Sequence, residues 1–315
     1  MIRSAFSASH NPFRNLAMEE ALCEKMRPGD AAVFLWQNEN TVVIGRGQNA
    51  WRECRCALLE QEGGFLARRS TGGGAVHHDL GNLNFSFAFG AGGFDLERQL
   101  NVVKRALQGF GIQARFSGRN DLILPDGRKF SGSAFRHTGG FSLHHGTLMV
   151  DVDKDRLTRY LSPEKAKYLN KGVSSVRSRV ANLKEVCPDI GVEDLARARL
   201  REFQAEYGAA VNIPEAELAL PDKIARYASW EWRFGEAPGF DLRLENRFSF
   251  GGVELSMKFD GGRVLRAQVY TDAMDPDLTY RLEAARTGAE YGAMPARAGV
   301  VVPEIGEWLL RELKE

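Results

Sequence analysis

The sequence predicts an α+β protein in two units, and three observations carry that reading. Strand-like and helix-like patterns are mixed along the chain without the regular alternation of a doubly wound parallel sheet. The 315 residues exceed what a minimal module needs and fit one large domain plus a smaller one. Around residues 208 to 245 the texture changes, with prolines and an aromatic cluster at Trp230, Trp232 and Phe234. The expected architecture is therefore a large domain, 1–245, with a mixed β-sheet flanked by helices, and a small α+β domain, 246–315.

A first helix is predicted over 12–26, with Asn11 as cap, Pro12 in the first turn and Leu16, Ala21, Leu22 and Met26 along one side. Val33–Trp36 and Thr41–Gly45 read as strands, rich in β-branched and aromatic residues. Phe65–Arg69, Ala75–His78 and Asn84–Phe89 are expected to continue the same sheet, with Phe85, Phe87 and Phe89 alternating onto one face. A helix from Leu96 to Phe110 ends near Gly111. A hairpin follows, Asp121–Leu124 turning at Pro125-Asp126-Gly127, then a strand at Ser142–Asp151. Helical patterns occupy 154–170 and 192–207. In the small unit Val253, Leu255, Met257 and Phe259 alternate, Asp260-Gly261-Gly262 turns the chain, and Val264–Tyr270 returns. Two helical stretches close the chain, the last carrying Trp308, Leu309, Leu310 and Leu313.

Composition excludes several classes. A net charge of +1 provides no overall field toward nucleic acid or anionic lipid, so a bound anion needs a local cluster. No run approaches the ~18 apolar residues of a membrane span, and the start lacks a secretory pattern. Cys23, Cys54, Cys56 and Cys187 show neither zinc nor redox Cys-x-x-Cys spacing, which points to reduced thiols and a cytoplasmic setting.

Three segments carry chemistry on their own residues. Arg68–Asn82 reads RRSTGGGAVHHDLGN. Three glycines remove side chains where backbone must approach a guest, their N–H groups can form an anion-binding concavity, and Arg68 and Arg69 add fixed charge. It is neither a P-loop nor a dinucleotide fingerprint, and a solvated hairpin tip is the bland alternative. The paired histidines His77-His78 and His144-His145 each offer only one side chain to a given face, so a zinc centre is not expected; one histidine from each strand can line a pocket. In Gly118–Arg136 a three-residue turn places Ile123 opposite Lys129, and alternation puts Asp121, Ile123, Lys129 and Ser131 on one side, with room beside Gly132, Ser133 and Ala134. A solvated surface lysine is the alternative. Lys171–Leu183 reads as a basic loop able to cover a polyanion, or as a solvated linker.

Together these segments resemble the lipoate–protein ligase A family. The resemblance rests on Arg68, Arg69, Gly72–Val76, His78, Asp79, Gly81 and Asn82; on Gly118–Leu122 with Lys129–Ala134; on His144–Leu148; and on Trp-x-Trp-x-Phe-Gly-x-x-Pro from Trp230 to Pro238. It spans nearly the whole chain and implies a fold akin to biotin ligases with a small C-terminal domain that moves. It also implies ATP, Mg²⁺ and lipoate as ligands, with Lys129 catalytic between the lipoyl carbonyl and the α-phosphate. Nucleotide contacts would come from Arg69, Gly74, Ala75, Val76, His77, Asn120, Asp121, Lys171, Arg179 and Asn182. Lipoate contacts would come from Arg68, Ser70, Gly73, His78 and His145, with Phe85 and Phe141 as candidate apolar walls and Asp121 as the Mg²⁺ ligand. The implied partners of this monomer are lipoyl carrier domains of 2-oxoacid dehydrogenase E2 subunits and the glycine cleavage H protein. His77 departs from a slot often aromatic in relatives. Other readings are an acyltransferase of the same fold without ATP activation and a nonenzymatic lipoate- or nucleotide-binding protein.

Overall fold

A computed structural model describes residues 1–117, 121–161, 180–235, 240–271, 273, 275 and 277–313. Its centre is an eight-stranded mixed sheet in the order β11-β1-β2-β6-β10-β9-β8-β7. The strands are β1 (Ile2–Phe6), β2 (Ala31–Trp36), β6 (Asn82–Gly90), β7 (Arg115–Ser117), β8 (Asp121–Ile123), β9 (Lys129–His137), β10 (Phe141–Met149) and β11 (Val211–Asn212). Strand β1 runs parallel to β2 and β11, and the remaining pairings are antiparallel. Every residue of β6 is buried because the sheet is covered on both faces at its middle. Phe85, Phe87 and Phe89 point toward helices α4 (Leu96–Gln108) and α6 (Val192–Tyr207), forming one core with Val102, Val103, Leu107 and Phe203. On the other face Ala32, Phe34 and Ala88 meet helix α1 (Pro12–Glu24). That helix starts where expected: the Asn11 side chain accepts from the N–H groups of Phe13 and Arg14 at 2.9 and 3.2 Å.

Strands β3 (Thr41–Ile44), β4 (Phe65–Arg68) and β5 (Val76–His78) do not continue this sheet. They form a separate three-stranded sheet, with β3 central, parallel to β4 and antiparallel to β5. Alternation identifies strands but not their partners. Here β3 buries both faces, one toward α1 and the other toward α2 (Ala50–Glu53), α3 (Cys56–Gln61) and α5 (Lys154–Tyr160), so it sits as its own layer. Of the helical pattern expected over 154–170, residues 162–170 lie outside the described residues.

Helix α7 (Pro221–Ala228) packs on α1 and leads into one turn of π-helix, Glu231–Gly235. The C-terminal unit pairs β12 (Phe240–Phe248), β13 (Gly251–Asp260) and β14 (Arg263–Thr271) as an antiparallel sheet. The expected division at residue 245 falls inside β12, which pairs with β13 along its length. Three helices, α8 (Leu278–Arg286), α9 (Met294–Val301) and α10 (Pro303–Glu312), cover that sheet and bury Leu282, Met294, Ile305, Trp308 and Leu309. Among the described residues no helix is long and apolar enough to cross a membrane.

One core residue opposes the rest. Arg199 on α6 is fully buried, its guanidinium 4.0 Å above the Phe85 ring and 4.9 Å above Phe87, and its three nitrogens have no hydrogen-bond partner among the described residues. Burial lowers its pKa to about 9. A cation–π contact returns about 2 kcal/mol, whereas taking an unpaired cation out of water costs several. Replacing Arg199 with Met should therefore raise folding stability by roughly 1–4 kcal/mol. Urea unfolding read by far-UV circular dichroism checks this, and a lowered midpoint contradicts it.

Candidate functional site

The sequence Arg69–Val76 leaves β4, forms a glycine loop and enters β5 beside strands β9 and β10 of the large sheet. The cavity between the two sheets holds about 160 Å³. Leu16, Trp36, Val43 and Val76 make its apolar walls; Gly73, Gly74, Lys129, Gly132, His78 and His145 bring its polar groups.

Arg69 organises the loop. It is 6% exposed, and its fork donates to the carbonyls of Val43, Gly72 and Gly74 at 3.2, 2.7 and 2.8 Å and to Thr71 Oγ1 at 3.1 Å. The amides of Gly72, Gly73 and Gly74 donate to no described residue. Gly73 sits at φ +96°, and a Cβ there would lie 2.9 Å from the Arg69 fork. Only glycine fits. Such a cradle of free N–H groups over a buried cation suits an anionic oxygen. Burial pulls Arg69 down to about 10, a tendency that the Glu19 carboxylate opposes.

Glu19 is buried at 2% exposure on α1 and was not foreseen. It accepts from the Ser86 hydroxyl and, at 2.8 Å, from Nδ1–H of His145. Trp36 Nε1–H in turn donates to Ser86 Oγ at 3.1 Å. On the other side of His145, Nε2 lies 2.8 Å from Thr71 Oγ1, the same hydroxyl oxygen that accepts from Arg69. A chain of polar groups thus runs from the Arg69 fork through Thr71 and His145 to Glu19. The available clue was an acid on the apolar side of the first helix, three residues after Leu16.

Lys129 reaches the cavity from β9, with Nζ 2.8 Å from Asp121 Oδ1. The predicted pairing of Ile123 with Lys129 is present, but the register then shifts. Phe130 is inserted as a bulge and buried in the core, so Asp121 faces Gly132 rather than Ser131, and Ser131 does not line the cavity. A Cβ at Gly132 would lie 3.1 Å from Lys129 Nζ, so the glycine leaves that amine its room.

His78 and His145 face the cavity while their neighbours turn away, as strand geometry requires. His77 approaches Asn40 at 3.3 Å and the Tyr160 ring; His144 sits between Gln99 and Ser133 on the opposite face. The Asn38 amide donates to His78 Nδ1 at 3.2 Å, which leaves the buried Nε2 as an unpartnered N–H donor among the described residues.

Several expected contacts are not brought to this cavity. Arg68 is fully buried elsewhere, donating to the carbonyls of Gly45, Arg46, Gln48, Trp232 and Arg233. A fork engaged with so many carbonyls serves the scaffold. Ser70 lies beside the Tyr227 hydroxyl. The Asn182 side chain clamps the Val152 backbone at 2.9 and 3.0 Å. Phe85 and Phe141 belong to cores on either side of the sheet. Asn120, Lys171 and Arg179 lie outside the described residues. Among the described residues no group of three or more acidic, histidine or cysteine side chains could hold a metal by itself.

A glycine loop over a buried arginine thus meets an apolar slot at Lys129. Residues 11–204 match the lipoyl protein ligase A/B catalytic domain, and the chain belongs to that family. Residues 237–294 match the bacterial lipoate protein ligase C-terminus. The chain is similar to LipL1 of P. falciparum, solved in complex with lipoate, at 26% identity and TM-score 0.66, over 99% of this chain and 100% of that one. A bi-partite lipoate protein ligase from Thermoplasma acidophilum, studied with its E2 lipoyl domain, is 30% identical with TM-score 0.65, covering 74% and 96%. A lipoate-protein ligase A bound with ATP is 27% identical with TM-score 0.64, covering 74% and 98%.

The buried histidines predict a pH dependence. Burial lowers His78 to about 3 and His144 well below its ordinary value of 6.5. Below 6.5 the unfolded chain takes up protons that the folded one refuses. Stability is therefore fully present above 6.5 and is lost as pH falls toward 3, at up to about 1.4 kcal/mol per pH unit for each histidine. His78→Gln should flatten the slope by about that amount between about pH 4 and about pH 6. Urea titrations at stepped pH measure it; an unchanged slope refutes the assignment.

Proposed function

We propose that the protein is an ATP-dependent lipoate–protein ligase, and the observation that carries this is the placement of Lys129 where the apolar slot meets the glycine cradle. A carboxylate acylates an amine only after its oxygen becomes part of a leaving group. A lipoate oxygen attacks the α-phosphorus of ATP, the bond to pyrophosphate breaks, and lipoyl-AMP forms. A carrier lysine, having lost a proton, then attacks the acyl carbonyl and expels AMP. Lys129 neutralises the charge that builds on the α-phosphate in the first step and on the carbonyl oxygen and departing AMP in the second. The Gly72–Gly74 amides and Arg69 hold phosphate oxygens, while His78 Nε2–H and the walls of Leu16, Trp36 and Val43 orient the lipoyl chain. Mg²⁺, which takes one or two carboxylates and completes its shell with phosphate oxygens, would be held by Asp121 and would supply charge neutralisation on the phosphates.

We place the catalytic unit in residues 1–235 and the accessory unit from β12 onward, working as a monomer in the cytoplasm. The acceptors are lipoyl carrier domains of E2 subunits and the glycine cleavage H protein. A relay acyltransferase would need a nucleophile such as a cysteine. No cysteine lines the cavity: Cys23, Cys54 and Cys56 are buried elsewhere, and Cys187 packs against the core below α6.

The test incubates the protein with lipoate, ATP, Mg²⁺ and an apo lipoyl domain and weighs the domain by mass spectrometry. Modification that requires ATP is expected; modification only from synthetic lipoyl-AMP would make the protein a transferase, and none from either would leave a binding protein. Lys129→Ala should lower both half-reactions by at least about 100-fold with an unchanged circular dichroism spectrum. Near-normal turnover in that variant overturns its role.

A further inference from the structure

We propose that Trp51 is a positioning residue that couples seating of the C-terminal unit to the shape of the glycine cradle. Four rings form a continuous stack across the junction. Trp230 lies 5.7 Å from Phe234, Phe234 lies 5.2 Å from Trp51, and Trp51 lies 4.5 Å from Tyr291 of the C-terminal unit, all with interplanar angles below 30°. The β13–β14 turn enters the same cluster. Gly262 has φ +75°, and a Cβ on it would lie 2.6 Å from Trp51 Cη2 and 3.1 Å from Trp230 Cη2. Only glycine fits between the two indoles. Arg263 caps the stack over Trp230 at 4.8 Å and is held by Glu290 at 3.0 Å.

From Trp51 the connection to the cavity is short and rigid. Trp51 lies in the first turn of helix α2, its amide tied to Asn49 Oδ1 at 3.0 Å. The preceding residues, 45–48, carry three of the carbonyls that Arg68 holds, and the remaining two belong to Trp232 and Arg233 on the turn bearing Trp230 and Phe234. One buried guanidinium therefore fastens both halves of the aromatic seat to the end of β4. The 45–48 segment also touches the cradle directly. Arg46 N–H donates to the Thr71 carbonyl at 2.8 Å, and a Cβ on Gly45 would lie 2.2 Å from the Gly73 carbonyl oxygen. Close packing transmits displacement rather than absorbing it, so movement of Trp51 shifts Thr71–Gly73. Seating the C-terminal unit orders the amides that receive an anion; unseating it relaxes them.

The kinetic arm of this proposal rests on the nucleotide reading above, whereas hydrogen exchange needs no activity. Trp51→Ala, and Tyr291→Ala on the far side of the junction, should each speed amide exchange about 10-fold at Arg46 and Arg69, whose N–H groups donate to the carbonyls of Thr71 and Ile44, while exchange in β6 stays unchanged. In the wild-type assay background both should raise the KM for ATP about 5-fold or more, with KM for lipoate and kcat within about 2-fold. Tyr291→Phe, which keeps the stacking ring, should behave as wild type in both readouts. If the seat only glues the units together, both alanine variants lower the melting temperature while exchange at Arg46 and Arg69 and the ATP KM stay at wild-type values, and the proposal is overturned. A wild-type protein without ATP-dependent activity would remove the functional reading, and the exchange result would still decide the coupling.

Discussion

Two adjacent guanidinium groups, each buried and each engaged with main-chain carbonyls, hold the catalytic end of this molecule in shape. Arg68 and Arg69 follow one another at the end of β4 and project to opposite sides of the strand. Arg69 gathers the glycine loop inward; Arg68 gathers the 45–48 segment and the 232–233 turn. The amides of Gly72, Gly73 and Gly74 donate to no described residue, and Gly73 and Gly74 line the cavity. The cost of burying two cations is offset by multiple charge-assisted hydrogen bonds to each. Arg199 lacks such partners among the described residues, which is why the same burial there works against the fold.

Electrostatic balance follows from that constraint. Arg69 requires a nearby counter-charge, and Glu19 provides it through Thr71 and His145 rather than by direct contact. The intervening groups fix His145 from both ring nitrogens. His78 is held differently, by one amide, so that its other nitrogen remains available to a guest. Two histidines in one cavity thus have unequal freedom, and the difference comes from which partners their strands happen to face.

Much of this was legible in the chain. The alternation Phe85, Phe87, Phe89 marks the central strand, Asn11-Pro12 marks the start of α1, and the spacing around Pro125-Asp126-Gly127 pairs Ile123 with Lys129. The cradle and the lysine were both readable from residue type. Other features depend on distance through space and leave no local trace. Which strands share a sheet is a tertiary matter, so β3, β4 and β5 read as part of the main sheet. The bulge at Phe130 arises because a core position competes with the ladder register, and alternation alone cannot express that competition. The role of Arg68 was misplaced for the same reason: an Arg-Arg pair advertises anion binding, while the carbonyls that claim one of the two come from segments far away in sequence.

The cavity lies along a seam between two sheets that share no ladder hydrogen bonds. Its walls are internally stiff, each a network of strand pairings, but the joint between them is crossed by side-chain contacts such as Thr71 to His145. A cleft built inside one sheet could widen only by unzipping strands. A seam can adjust its width by sliding one stiff plate against another, so guests of different girth could be admitted at the expense of a few side-chain bonds. In mechanical terms the compliance of the site is concentrated in its joint, and the width of the cavity becomes a property of layering rather than of any single wall residue.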